Sequence, residues 1–293
     1  MNTEPVAFYG GISDVEMIHD KFELGHGLFL RKTYARLMNP LIFSFSAAKE
    51  GEPHPAPWRI VDHDNGTDIK IELFIPGSLK LPNFFDQLNT IWWIIALIRL
   101  RGAGFSRVPV ISQCPFAEFA LNQNKFHVTQ IETLPRYYSR EAVVSVLSEE
   151  DLQWLRKTWL TGGTLMSQSQ SFRDAFYAID RAGELPIRSV SVLLIWSALE
   201  KLFSPAKQEL RFRVSAHIAA YLEPIGDSRL RLHKQIMKLY DARSEIAHSA
   251  KVKTGGIWSS TYSLAKRVLM KILSDNFVPS MKELEGMLFA PEL

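Results

Sequence analysis

The chain has 293 residues, of which 46% are hydrophobic and 22% charged, and 34 Lys and Arg against 31 Asp and Glu give it a net charge of +3. A disordered chain would be poorer in apolar residues, and a collagen-like or Gly/Ser-linker protein would contain more than 16 Gly and 15 Pro. A disulfide scaffold would need more cysteines than Cys114. What remains is a globular protein long enough for about two domains.

Compartment and membrane association can also be predicted from the sequence. Cys114 has no second cysteine to pair with, which fits a reducing compartment and excludes thiolate zinc sites, and we expect it to be a small buried residue. The first five residues lack the basic and apolar segments of a signal peptide. The apolar run at 91–98 is shorter than the roughly 20 residues of a membrane span. We therefore expect a cytoplasmic protein with no membrane contact.

The first half, residues 1–146, mixes short alternating stretches with turn signals and predicts an α+β domain. A helix is expected at 84–100, packed on a small sheet. The predicted strands cover 22–30, 58–62, 69–75, 108–112 and 126–131. No motif assigns this half a chemistry, and we expect it to sense a signal or to restrain the second half.

The second half, residues 147–293, predicts an all-α helical domain, so that the protein is mainly α overall. Ser148 followed by three acids is typical of a helix N-terminus, because the hydroxyl caps the helix and the acids complement its dipole. Glycine pairs at 162–163 and 255–256 are expected to break helices. The further helices are predicted at 169–182, 187–203, 207–222, 227–249, 260–276 and 280–288.

The helix at 227–249 carries the most informative pattern. Arg243 stands on its apolar stripe, where a buried charge is costly unless it is paired, and such a break in pattern is often functional. The alternative is an arginine that reaches solvent or pairs with an acid from another helix. A polar line of Tyr240, Ser244 and His248 at spacings of four runs along the same helix. The stripe itself comprises Leu232, Ile236, Leu239, Tyr240, Ile246 and Ala247.

Residues 240–248, Tyr-Asp-Ala-Arg-Ser-Glu-Ile-Ala-His, resemble the Arg-polar-x-x-x-His signature of HEPN domains. The segment 194–203 is similar to the Ala-Leu-Glu helix of the ApeA-like branch of that family, and 210–219 resembles its basic second helix. The resemblance covers roughly residues 165–275. It implies a homodimeric, metal-independent endoribonuclease without a cofactor, and a toxin or abortive-infection effector in anti-phage defence, with a phage-derived or antitoxin-like regulator as a further partner.

The resemblance also implies roles that suit the residue types. RNA carries its own nucleophile, the 2′-hydroxyl, so that the protein has only to move protons and stabilise phosphate charge. His248 is the expected general acid or base, and Arg243 the expected phosphate clamp. Ser244 is expected to position the substrate. If the helix packs against its own copy, two Arg243 and His248 pairs could line one cleft.

Charge distribution agrees with an RNA partner. Between residues 205 and 253, ten Lys and Arg stand against five Asp and Glu, a local net charge of +5 that leaves −2 for the rest of the chain. The expected RNA contacts in this segment are Arg211, Arg213, Lys238 and Lys251. A solvated basic face without a ligand is the alternative interpretation for Arg229, Arg231 and Lys234.

Several polar residues are assigned supporting roles or none. Glu200 either pairs with Arg243 or another buried base, or ends the apolar run of its helix at the rim, and we favour the pair by analogy with the family. Tyr240 and Glu245 are also expected to support the site. His217 and His233 are expected at the surface or its boundary. Asp62-His63-Asp64 has ligand types for a metal but lacks a second ligand motif, so no metal site is predicted.

Two other functions remain open from the sequence. The second half could be a non-catalytic HEPN-like module that binds RNA, a nucleotide or a partner protein. It could also be an ordinary interaction bundle that matches the signature by chance. Motifs for P-loop nucleotide hydrolysis, Rossmann redox chemistry and α/β-hydrolase chemistry do not occur.

Overall fold

In the computed structural model of this protein, internal contacts divide the chain into two units, residues 1–79 with 106–133 and residues 80–105 with 134–293. The structure describes residues 6–38, 43–44, 47–53, 59–60, 66–78, 85–119, 121, 127–132, 145–203, 209–248 and 254–289. A sheet-containing region is followed by a helical one, which confirms the predicted fold class of α+β followed by all-α. The division differs from the predicted boundary at residue 146, because the first helix belongs to the second unit.

The first unit is built on a six-stranded antiparallel sheet with the order β3-β4-β7-β1-β8-β9. The predicted strands at 69–75 and 108–112 are present. Of the strand predicted at 58–62, only residues 59–60 are described, and they form a strand; of that predicted at 126–131, residues 128–130 form a strand and residue 126 lies outside the described residues. The strands of the chain are β1 (Phe8–Ser13), β2 (Val15–Met17), β3 (Lys21–Gly25), β4 (Leu28–Met38), β5 (Phe43–Ser44), β6 (Arg59–Ile60), β7 (Gly66–Ile75), β8 (Arg107–Ser112), β9 (Val128–Gln130) and β10 (Ser145–Leu147).

Two features of this sheet differ from the prediction. The single strand expected at 22–30 is a hairpin, because Gly25, His26 and Gly27 all adopt positive φ values that reverse the chain between β3 and β4. Strand β1, which was not predicted, lies between β7 and β8 and carries two glycines. A Cβ atom on Gly11 would lie 2.7 Å from the ring of Phe116, so that this glycine permits the close packing of the ring on the sheet.

The second unit is helical, and its first helix α1 packs against α2 and α3. Helix α2 begins where predicted, since Ser148 and Asp151 form a reciprocal capping box. Ser169 also caps a helix, since its side-chain oxygen accepts a hydrogen bond from the backbone N–H of Phe172 in the first turn of α3. The helices are α1 (Gln87–Arg101), α2 (Glu149–Gln168), α3 (Gln170–Ala182), α4 (Arg188–Phe203), α5 (Leu210–Leu222), α6 (Asp227–His248), α7 (Gly255–Asp275) and α8 (Met281–Phe289).

Both glycine pairs that we expected to break helices lie inside helices. Gly162 and Gly163 are buried within α2, and a Cβ atom on Gly162 would lie 2.8 Å from Leu273 and 2.9 Å from Trp93. The pair therefore lets α1 and α7 approach α2 closely, and close packing offsets the low helix propensity of glycine. Gly255 and Gly256 form the first two residues of α7 instead of a linker.

The helical unit also buries an ion pair between α1 and α3. The Arg99 guanidinium lies 3.1 Å from the Asp180 carboxylate, and the two side chains are 1% and 4% exposed. Buried charges of this kind are tolerated when they are paired, and the pair fixes the two helices relative to each other. In the described part of the chain, no helix is long and apolar enough to cross a membrane.

Candidate active site on helices α4 and α6

Helix α6 directs one apolar stripe into the helical unit, as its periodicity predicts. Leu232, Ile236, Tyr240 and Ile246 are buried, and they pack toward α4, α5 and α7. The prediction for Ala247 is wrong, because this residue is exposed one position beyond the stripe. The buried stripe holds the C-terminal half of α6 against α4, and the side chains of interest come from these two helices.

Arg243 interrupts the stripe and forms an ion pair with the neighbouring helix. Its Nη2 atom lies 3.2 Å from Oε1 of Glu200, and the two side chains are 27% and 19% exposed. The guanidinium carbon lies 5.5 Å from the centre of the Tyr240 ring, within the range of a cation–π contact. The structure thus brings Arg243, Glu200 and Tyr240 together, and of the two alternatives for Glu200 it contains the pair.

The pair leaves hydrogen-bonding capacity unused. Among the described residues, Arg243 Nε is a buried atom without a hydrogen-bond partner. Glu200 Oε1 is a second, because its 3.2 Å ion pair with Arg243 is not a hydrogen bond. Trp196 Nε1, one turn before Glu200, is a third. Buried polar atoms are nearly always hydrogen-bonded, and each one left unpaired costs about 1–3 kcal/mol. Unsatisfied buried atoms of this kind call for a further partner, such as a bound water or ion.

The Tyr240 ring is in contact with Arg243 and also with Trp196. Trp196 packs edge-on against Tyr240 with ring centres 5.1 Å apart and an interplanar angle of 81°. Burial raises the pKa of the Tyr240 hydroxyl, and the adjacent Glu200 carboxylate raises it further, while Arg243 opposes the shift. Tyr240 is therefore a neutral hydroxyl at physiological pH and a fixed platform for the guanidinium.

The remaining residues of the signature lie on the last two turns of α6. His248 and Glu245 are exposed, and Ser244 is half-buried. Arg243 and His248 are five residues apart, which places them about 140° from each other around the helix. His248 is therefore accessible to a ligand at the end of the helix, whereas Arg243 is seated against α4.

Two of the four residues predicted to contact RNA are paired with acids. Arg211 makes a two-pronged ion pair with Asp241, with N–O distances of 2.6 Å, which offsets its charge. Arg213 lies 3.9 Å from Glu285 of α8. Lys238 is exposed on α6, and Lys251 lies outside the described residues. The charge of Asp241 is already included in the local net charge of +5, so its ion pair with Arg211 redistributes the basic charge of the segment without reducing its sum.

Two other histidines and the cysteine can be placed. The prediction for His217 is wrong, because it is 4% exposed and its Nδ1–H donates to the Phe203 carbonyl oxygen at 2.7 Å. His233 packs edge-on against Phe212, and burial together with the charge of Arg211 lowers its pKa. Cys114 is half-buried, more accessible than expected.

No group of three or more His, Cys, Asp or Glu side chains able to hold a metal occurs in the part of the chain that the structure describes. The Asp62-His63-Asp64 segment lies outside that part.

A groove between α6 and α7 was not predicted. Its volume is about 310 Å³, with an apolar floor that includes Leu232, Ile236 and Leu239 and a wall of Ser259, Ser260 and Ser263 on α7. The three serines are consecutive or three residues apart and so lie on one face of α7. Their spacing can be seen in the sequence, but it is not specific for any ligand. Arg243 lies four residues beyond Leu239, so the groove and the arginine share a face of α6.

Comparisons with known proteins were made on the whole chain. No family model, curated protein or solved structure matches it. The geometry around Arg243 therefore carries the functional interpretation together with the signature.

Proposed function

We propose that this protein is a metal-independent endoribonuclease of the HEPN type that uses Arg243 and His248. The observation that supports this most is the placement of Arg243, a guanidinium held between the Glu200 carboxylate and the Tyr240 ring. A cation held in this manner is preorganised for a phosphate, since it gives up little conformational freedom when the ligand binds. The exposed His248 on the same helix end supplies an imidazole that can accept or donate a proton.

In the proposed reaction, the 2′-oxygen of a ribose attacks the adjacent phosphorus, and the bond from phosphorus to the 5′-oxygen breaks. The products are a 2′,3′-cyclic phosphate and a 5′-hydroxyl, so that no water or metal is consumed. One base must accept the 2′-hydroxyl proton and one acid must protonate the leaving 5′-oxygen. His248 performs one transfer, and in a homodimer His248 of the second copy performs the other. Arg243 stabilises the negative charge on the phosphorane.

The proposal extends to a biological role. A ribonuclease of this type in the cytoplasm would damage the RNA of its own cell, which fits a toxin or abortive-infection effector in anti-phage defence. The sheet-containing unit is the proposed sensor for a phage-derived or antitoxin-like regulator. This role rests on the resemblance at residues 240–248, and expression toxicity that depends on His248 is its direct test.

The enzymatic proposal is tested with single-stranded RNA in EDTA. We expect cleavage by the wild type, and losses of about 100-fold or more for His248→Ala and Arg243→Ala, because each removes a group with no replacement in the site. Arg231→Ala, which removes an exposed arginine from the same helix, is the matched control and should retain activity. RNA with a 2′-deoxy sugar at the cleavage site should resist cleavage.

Other outcomes separate the proposal from its rivals. RNA binding by the wild type without cleavage supports a non-catalytic module and contradicts the enzyme. Cleavage that requires a divalent metal, or that proceeds equally on 2′-deoxy sites, contradicts the mechanism.

A further inference from the structure

The ion pair between Glu200 and Arg243 has a consequence for which phosphates the site accepts. A lone guanidinium attracts a doubly charged phosphate more strongly than a singly charged one. Here a carboxylate stands 3.2 Å from the Nη2 atom, so that the pair is neutral as a whole. A second phosphate charge therefore gains attraction from Arg243 and meets repulsion from Glu200.

The burial of the pair makes this repulsion effective. Glu200 is 19% exposed and Arg243 27% exposed, so solvent screens the two charges less than it would on an open surface. Arg243 Nε is a buried atom, so a ligand of the guanidinium has to bind through the terminal nitrogens Nη1 or Nη2. Glu200 Oε1 is also a buried atom, so this oxygen acts on a ligand through its charge and through Arg243, not by contact.

We infer that Glu200 sets the charge selectivity of this site by weakening the preference that Arg243 alone would give to doubly charged phosphomonoesters over the singly charged phosphodiester of an RNA chain. The inference rests on the proposed function, because it assigns a phosphate to Arg243. An internal phosphodiester and a 2′,3′-cyclic phosphate each carry one negative charge, whereas a terminal 3′-phosphate carries nearly two at neutral pH. Glu200 is thus a specificity-determining residue that limits occupancy by terminal phosphates and inorganic phosphate.

The size of the effect follows from the distances. An ion-pair separation of 3.2 Å plus a charged hydrogen bond of about 2.8 Å places the phosphate about 6 Å from the carboxylate. We take an effective dielectric constant of about 40, between the values for a protein surface and for water. The Coulomb repulsion between two unit charges at that distance then corresponds to about a tenfold change in the dissociation constant. Removing the carboxylate charge should therefore alter the preference between the two ligand classes about tenfold.

The experiment uses two nucleotides that differ by one charge, uridine 3′-monophosphate and uridine 2′,3′-cyclic monophosphate. Their dissociation constants are measured by calorimetry at pH 7.5 on the full chain and on Glu200→Gln, which keeps the side-chain size and removes the charge. We expect both nucleotides to bind Glu200→Gln more tightly, and the monophosphate to gain about tenfold more than the cyclic compound. Glu200→Asp, which keeps the charge, should retain the wild-type ratio.

A control and two further outcomes make the test decisive. Glu184→Gln removes one charge from an exposed ion pair with Arg181 and should leave the ratio unchanged. An unchanged ratio in Glu200→Gln, while the wild type still cleaves RNA, overturns this inference and leaves the proposed function standing. A wild type that neither cleaves RNA nor binds either nucleotide overturns the proposed function itself. A purely structural role for Glu200 would weaken both nucleotides together, which also overturns the inference.

Discussion

The glycine pair within α2 offers a sharp test of how the helical unit is packed. A Cβ atom at position 162 would lie 2.9 Å from Cζ2 of Trp93, and this ring is fixed because its Nε1 donates to the Trp159 carbonyl oxygen at 2.7 Å. At position 163 the nearest atom, on Phe85, is 3.4 Å away, an ordinary contact. Gly162→Ala and Gly163→Ala therefore make the same chemical change in adjacent residues with different surroundings.

Both substitutions gain about 1 kcal/mol from the higher helix propensity of alanine. Only Gly162→Ala adds overpacking, which costs about 1–3 kcal/mol in a tight core, and the rigid neighbouring ring favours the upper part of that range. We expect Gly162→Ala to lower the free energy of unfolding by about 1–2 kcal/mol and Gly163→Ala to raise it by about 0.5–1 kcal/mol.

Urea unfolding followed by tryptophan fluorescence measures the difference between the two variants, since six of the seven tryptophans, all except Trp58, belong to the helical unit. The m-value should stay constant across the series. If Gly162→Ala is as stable as Gly163→Ala, α1 and α7 do not approach α2 as described.

Three further predictions concern other contacts in the helical unit. Asp180→Ala removes the carboxylate that pairs with the buried Arg99, and it should lower the free energy of unfolding in urea by about 3–5 kcal/mol. A decrease of less than about 1 kcal/mol would contradict the burial of the pair. Ser148→Ala removes the cap of α2 and should cost about 1 kcal/mol, with a Ser148→Asp variant restoring most of it. Burial and a hydrogen bond to Asp275 raise the pKa of Tyr221 above its unfolded value of about 10. The protonated Tyr221 hydroxyl therefore contributes fully to the free energy of unfolding below about pH 10, and this contribution is lost as the pH rises further. Unfolding at several pH values should show this loss, and Tyr221→Phe should make it shallower; an identical slope in both proteins would contradict it.

The features of the site that depend on neighbouring positions in the chain could be predicted. The spacing of apolar residues placed Leu232, Ile236 and Tyr240 on the buried side of α6, and it marked Arg243 as a charge on that side. Pairing with Glu200 could only be offered as one of two alternatives. Ala247 was wrongly predicted to be buried, because the apolar pattern near a helix end does not show where the neighbouring helix that covers it ends.

The sequence by itself determined where α2 and α3 begin, at the caps Ser148 and Ser169, because a cap joins groups three residues apart and needs no other part of the chain. Tertiary structure decided the remaining questions. It placed the glycine-bearing strand β1 inside the sheet, kept Gly162 inside a helix, and set Glu200 against Arg243. In each case the deciding contact joins residues tens of positions apart, and its free energy outweighs the local preferences that the sequence displays.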